Sequence, residues 1–306
     1  MSPSSLSCRD LARAILAGCA CAVLAGCQPA VLDPEGPIGA AEKTILLNSV
    51  EIMLAIVVPT ILATLAFAWW FRSSNGKARY LPDWAYSGRI ELITWSIPVL
   101  VVLFLGGITW IGAHELDPAK PLKSSATPLE IQAVSLDWKW LFIYPTQGVA
   151  SVNQLTVPVG VPLHFSLTSA SVLNTFFVPQ LGSMIYTMNG MSDELYLQAD
   201  APGTYYGQSA QFSGDGFSDM HFAVDAVAED GFNAWIAGMR GKGPALDAAS
   251  YATLEQQSEN VPPSTYGTVE PGLYDMIVTQ KLAPGPGPQT GPAPNVSPRP
   301  EATNAR

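Results

Sequence analysis

Thiols are missing from almost the whole chain. Its four cysteines, Cys8, Cys19, Cys21 and Cys27, all lie within the first 27 of 306 residues. The remainder can have no disulfide framework, no zinc ribbon and no thiolate site for copper. Histidine is nearly as scarce: His114, His164 and His221 are too few and too scattered for a multi-histidine centre. His164 and His221 would pair on a metal only from adjacent strands. His221 follows Met220 directly, so strand alternation turns these two to opposite faces. Charged residues make up only 13 % and the formal net charge is −10, which argues against nucleic acid as a partner. Lysine and arginine are absent between Lys139 and Arg240, a stretch that holds eight acids. A strongly negative surface is expected there, able to steer a basic protein or suited to an acidic exterior.

Apolar runs are what the chain has in abundance. Arg9 and Arg13 precede a small apolar run from Ala14 to Gly26, the pattern of a secretory signal. The run ends in Leu24-Ala-Gly-Cys27, which resembles the bacterial lipoprotein processing box. That resemblance implies removal of residues 1–26 and lipidation of Cys27. A second copy, Leu16-Ala-Gly-Cys19, leaves only about five uncharged residues after Arg13, short of the roughly 7–15 of a signal's apolar region. Residues 27–43 are then a short external segment.

Two longer runs, 44–71 and 90–113, each exceed the roughly 20 residues needed to cross a bilayer. Trp69 and Trp70 close the first, and Trp95 and Trp110 flank the second, as interfacial belts do. Pro59 and Pro98 interrupt them, which membrane helices tolerate when a neighbouring helix covers the freed carbonyls. The connecting loop, 72–89, carries Arg72, Lys77, Arg79 and Arg89 against Asp83 alone. Positive-inside asymmetry places that loop in the cytoplasm and both chain ends outside. Glu51 falls about two turns into the first run, and Glu91 at the cytoplasmic start of the second.

From about Pro128 the pattern turns to short alternating runs with Gly and Pro turns between them. Residues 130–136, 154–158, 162–168, 194–198, 203–207 and 220–227 read as strands. Many short strands of this kind imply a sandwich or barrel. Asp137-Trp-Lys-Trp-Leu-Phe-Ile-Tyr-Pro145 is a dense aromatic segment. Trp138, Trp140, Phe142 and Tyr144 are expected to pack the domain rather than carry electrons. Residues 229–241 read as an amphipathic helix, and 247–257 and 271–281 as two more. The end, 284–306, is rich in Pro, Gly, Ser and Thr and reads as a disordered tail.

The stretch Tyr205-Tyr-Gly-Gln-Ser-Ala-Gln-Phe-Ser-Gly-Asp-Gly-Phe-Ser-Asp-Met220 ties these parts together. It resembles the dinuclear copper loop of the subunit II family of haem-copper oxidases, Cys-x-Glu-x-Cys-Gly-x-x-His-x-x-Met with a further His upstream. On that register Ser209 and Ser213 stand at the two Cys positions, Gln211 at the Glu and Phe217 at the His. Asn174 stands at the upstream His, while Gly214 and Met220 match. Copper in such a centre needs soft thiolates and imidazoles; hydroxyls, an amide, a phenyl ring and one thioether cannot replace them.

The chain therefore resembles the copper-free branch of the family, subunit II of cytochrome bo-type ubiquinol oxidases. The resemblance implies a two-helix transmembrane hairpin and an all-β cupredoxin-like Greek-key sandwich (114–228) with a helical C-terminal extension (229–283). It implies a respiratory complex of the bacterial inner membrane that oxidises ubiquinol, reduces oxygen to water and moves protons. Haems, copper and quinol site are then expected in a partner, subunit I, within a complex of further subunits, with no cofactor in this chain. Glu91 stands where the family places an acid at the mouth of a proton-uptake path. Two rivals remain: a cytochrome c oxidase subunit II, which needs the missing ligands, and a lipid-anchored cupredoxin-like binding or assembly protein outside any oxidase.

Overall fold

The computed structural model describes residues 30–79 and 81–285. Cys27, with its signal segment, and the tail beyond 285 lie outside them. Helix α1 spans Pro37–Trp70 and helix α2 spans Gly88–Glu115. Both are predominantly apolar, and both are long and apolar enough to cross a membrane. Pro37 starts α1 without cost, because a first-turn amide has no helical acceptor to lose. α1 starts seven residues before its apolar stretch and α2 exceeds its own by two residues at each end, since the hydrogen-bond ladder does not stop where hydropathy falls. They meet at Gly112, where a Cβ would sit 2.7 Å from the Ile45 Cδ1.

The strands that follow are β1 (Leu129–Leu136), β2 (Lys139–Tyr144), β3 (Val149–Val152), β4 (Gln154–Pro158) and β5 (Leu163–Ser169). Then come β6 (Asn174–Phe177), β7 (Ile185–Thr187), β8 (Asp193–Leu197), β9 (Gly203–Ser209) and β10 (His221–Val227). They build a cupredoxin-like sandwich. One sheet runs β3-β2-β1-β5-β8 and the other β4-β10-β9-β6-β7. β1 pairs parallel with β5 and β10 parallel with β4, while the other pairs within these two runs are antiparallel.

Between the sheets lies an aromatic core. The Phe176 ring sits 5.4 Å from Trp140, 5.2 Å from Phe165 and 5.3 Å from Phe222. β2 is buried along its whole length instead of alternating. Trp140, Phe142 and Tyr144 enter the inter-sheet core, while Leu141 and Ile143 enter a second cluster on the outer side. That cluster is closed by the extension through Leu246, Tyr251, Leu273, Tyr274 and Ile277.

The extension holds α3 (Glu229–Met239), α4 (Ala248–Leu254) and α5 (Leu273–Val278). A capping box of Asp247 and Ser250 starts α4, and Gly272 in the left-handed region precedes α5. α4 and α5 are shorter than the amphipathic pattern implies. Their flanks are used as β11 (Ala245–Leu246), β12 (Ser264–Tyr266) and β13 (Thr268–Val269). β12 lengthens the first sheet beyond β3, and β11 pairs with β13. Gly285, inside the stretch read as tail, still donates its amide to Ala170 O at 2.9 Å.

Backbone bonds dock the sandwich on the N-terminal end of α1. Glu35 N reaches Gln180 O at 2.8 Å, Gly39 N reaches Leu181 O at 3.1 Å, and Asp200 N reaches Glu35 O at 2.7 Å. A Cβ on Gly36 would lie 2.2 Å from Gln198 O, so only glycine permits this approach. Phe176 is the ring shared by the most partners in the aromatic core. Phe176→Ala should lower the unfolding free energy of the sandwich by about 3–5 kcal/mol. Thermal unfolding of the detergent-solubilised chain, followed by near-UV circular dichroism, checks this; an unchanged midpoint would contradict it.

Candidate functional site

β9 and β10 are adjacent antiparallel strands, and the chain between them forms the loop singled out by its register. Ser209 ends β9, a short 3₁₀ turn covers Asp215–Asp219, and Met220 leads into β10. Ser209 N donates to Met220 O at 3.0 Å, which closes the loop at its base. Asn174 reaches it from the start of β6, because β6 pairs with β9.

The fold brings most of the register positions together. Ser209 Oγ donates to Asn174 Oδ1 at 3.2 Å, and Ser213 Oγ lies 4.0 Å from Met220 Sδ. All four residues are buried. Gln211 contributes through its backbone, accepting from Ser209 Oγ at 3.4 Å. Phe217 turns away, its ring edge-on to Phe212 at 5.6 Å, and Phe212 is 72 % exposed. Ser213 O accepts from Trp138 Nε1 at 3.2 Å. The Trp138 ring covers Gly216, where a Cβ would sit 2.5 Å from it. Trp138 has φ of 65°, a left-handed backbone that a bulky residue adopts only under constraint.

The donors inside this loop are two hydroxyls, an amide and a thioether. They do not fit a copper pair, which requires thiolate and imidazole ligands. Among the described residues no group of three or more His, Cys, Asp or Glu side chains could hold a metal ion. His164 is spoken for: its Nδ1 lies 2.7 Å from Glu130 Oε2 and its ring stacks on Tyr196. His221 is exposed beside Tyr206, on the face opposite buried Met220. Glu91 sits in the first turn of α2, exposed and without an ion-pair partner among the described residues.

Sequence reasoning missed the site's ionic support. Lys139, next to Trp138, is buried, and its Nζ donates to Gln256 O and Ser258 Oγ, both at 2.7 Å. Asp137, on the other side of Trp138, accepts from Ser171 Oγ. Burial pushes the Lys139 ammonium down to about 8, against the opposing pull of the Asp137 and Glu255 carboxylates. Burial and Asp137 raise Glu255 above its ordinary range. A lysine inside an otherwise aromatic strand was the available signal, since a buried cation demands fixed acceptors.

The family described as "Cytochrome C oxidase subunit II, periplasmic domain" matches residues 146–227. The one described as "COX Aromatic Rich Motif" matches residues 240–285. The chain is 51 % identical over 268 residues to "Ubiquinol oxidase subunit 2" of Acetobacter aceti, covering 87 % of this chain and 84 % of that one. It is 47 % identical over 250 residues to "Cytochrome bo(3) ubiquinol oxidase subunit 2" of Pseudomonas aeruginosa, with 82 % and 76 % covered. To the protein of the same description in Pseudomonas putida it is 43 % identical over 248 residues, with 81 % and 79 % covered.

The lowered Lys139 value sets a pH signature. From about 8 up to the ordinary lysine value of 10.5, the folded chain has shed this proton and the unfolded chain has kept it. The unfolded state then binds more protons, so this group's contribution to stability rises with pH across that window. Lys139→Met removes the titration. The difference in melting temperature, wild type minus Lys139→Met, should therefore become more positive from pH 7.5 to pH 10. A flat or falling difference would show that the ammonium is not held at a depressed value.

Proposed function

The chain belongs to the subunit 2 family of cytochrome bo-type ubiquinol oxidases, and from that premise we propose that it serves as the copper-free, non-catalytic subunit of such a complex. The complex oxidises membrane ubiquinol, reduces oxygen to water and moves protons across the membrane. Redox chemistry, with its haems and copper, belongs to the partner subunit I, and ubiquinol reaches the complex through that partner. This chain holds and covers the partner's outer face.

One observation carries the reading. The loop keeps the register of a copper site but fills it with Asn174, Ser209, Ser213 and Met220, none of which brings a thiolate or an imidazole. Electrons from a soluble carrier have no stepping stone here, so they must enter elsewhere. Identity of 51 % over most of the chain to a protein named as a ubiquinol oxidase subunit supports the same assignment. A stand-alone lipoprotein would need neither of the two long apolar helices.

Three finer roles belong to this proposal. α1 and α2 cross the inner membrane, with the sandwich outside and the basic loop inside. Glu91, without an ion-pair partner among the described residues at the cytoplasmic start of α2, collects protons for a path into subunit I. Cys27 carries lipid after removal of the signal segment. The two spans already fix the chain in the bilayer, so lipid adds membrane affinity rather than supplying the anchor.

Oxygen uptake by the complex, isolated through a tag on this chain in mild detergent, tests the assignment. Uptake with ubiquinol and none with reduced cytochrome c is expected; uptake with cytochrome c would reverse the reading. In the same assay Glu91→Ala should slow turnover severalfold and reduce the protons moved, and unchanged turnover with an intact pump would remove the role of Glu91. The intact mass of the chain from membranes should show acyl additions on a polypeptide that begins at residue 27, and Cys27→Ser should abolish them.

A further inference from the structure

α1 carries a polar stripe on which Asn48 and Glu51 have no partner among the described residues. Thr44, Asn48, Glu51 and Ala55 fall within about 60° of arc at 3.6 residues per turn, so they share one flank of the helix. Asn48 and Glu51 are exposed, and neither side chain has a hydrogen-bond or ion-pair partner among the described residues. Thr44 is satisfied, donating to Ala40 O at 2.9 Å. Below them Pro59 has no amide to give, so the Ala55 carbonyl loses its helical donor on this same flank.

This flank is not the one that meets α2. Ile45, Ser49, Ile52 and Ile56, all half-buried, line the contact side, where Ile45 touches Gly112. The centre of that side lies just over a third of a turn from Glu51. Glu51 is seven residues past Thr44, about 10 Å along the axis from the outer start of the apolar run. No lysine or arginine among the described residues pairs with it. Lys43, the basic residue in α1, lies eight positions away, and α2 brings Arg89 only at its opposite, cytoplasmic end.

The stripe is rich in acceptors: a carboxylate, an amide oxygen and a freed carbonyl, against the one amide donor group of Asn48. A carboxylate at membrane depth is costly unless it is paired. Resting on the function proposed above, we infer that this flank of α1 docks a transmembrane helix of the partner subunit that presents a basic side chain to Glu51. A guanidinium is the donor-richest fit, since its planar fork can serve the carboxylate and a neighbouring carbonyl together. Charge complementarity thereby fixes both the register and the rotation of α1 against its partner. Neither is specified by the rest of the helix, where the hydroxyls of Ser49, Thr60 and Thr64 are satisfied within α1.

The test isolates the complex through a tag on the full chain carrying Glu51→Leu or Glu51→Gln. Met53→Leu, on a different flank, is the control. Haem recovered per tagged chain is measured at rising detergent concentration. Glu51→Leu should lose about tenfold in retained haem, the equivalent of one charge-assisted pairing, and Glu51→Gln less. Met53→Leu should match wild type. The sandwich's own melting should stay unchanged in all three, which separates lost docking from misfolding. Equal haem with Glu51→Leu and wild type would overturn the inference, leaving lipid headgroups or water as what covers Glu51. A wild-type chain that recovers no haem at all would overturn the proposed function with it.

Discussion

The contact on which the most depends is the Trp138 ring lying flat over Gly216. It needs no side chain at 216 and a left-handed backbone at 138, two conditions that sequence and fold meet together. The ring spans three parts of the molecule. Its Nε1 holds Ser213 O in the loop, Trp140 two residues on enters the aromatic core, and the adjacent Lys139 reaches the extension. The backbone strain at Trp138 persists because the residues on both sides are pinned by part-buried hydrogen bonds.

This arrangement explains how a loop shaped for metal keeps its shape without metal. In a copper centre the ligand bonds would fix the loop. Here many weak terms replace them: the Ser209–Met220 backbone bond at the base, the Ser209–Asn174 pair within, and the indole lid above. Each neutral hydrogen bond is worth about 1 kcal/mol net, far less than a metal–thiolate bond. The loop therefore relies on the surrounding sandwich for its rigidity. β9 and β6 are already paired and already packed on Phe176 and Phe222, so the order is supplied by the core before the loop is reached.

Much of the fold was legible in the sequence, and the illegible parts share a cause. Long apolar runs with flanking tryptophans specify membrane-length helices whatever surrounds them, and alternation marked β1, β4, β5, β8, β9 and β10. β6 and β7 were not marked: each has three or four residues, too short to show a period, and each exists through its partner. β2 was read only as an aromatic segment that packs the domain, and its aromatic residues do so. Alternation implies one wet face, yet Leu141 and Ile143 are covered by the extension, so the strand reads as a continuous apolar run. The site positions were legible through their register alone. That Phe217 would turn outward to Phe212, and that Lys139 would be buried under Gln256 and Ser258, depend on contacts more than a hundred residues apart or on a local turn with no fixed signature.

The extension can now be given a physical reason for its aromatic content. It must cover the outer face of β1, β2 and β3 and also supply acceptors for one buried cation. Tyr251 and Tyr274 provide large apolar area together with a polar tip, and Tyr274 uses its hydroxyl on Ser192 at 2.8 Å. The carbonyls after α4 are left free because that helix stops early, and Lys139 takes the one on Gln256. A longer helix would have used them internally. The short α4 and the buried lysine are therefore a single feature: ending the helix exposes the acceptor, and the acceptor anchors the strand that carries Trp138. Removal of the extension would expose the outer cluster and leave the Lys139 charge without its fixed oxygens. The loop at the far end of the same turn would then lose the backbone that aims the indole at Gly216.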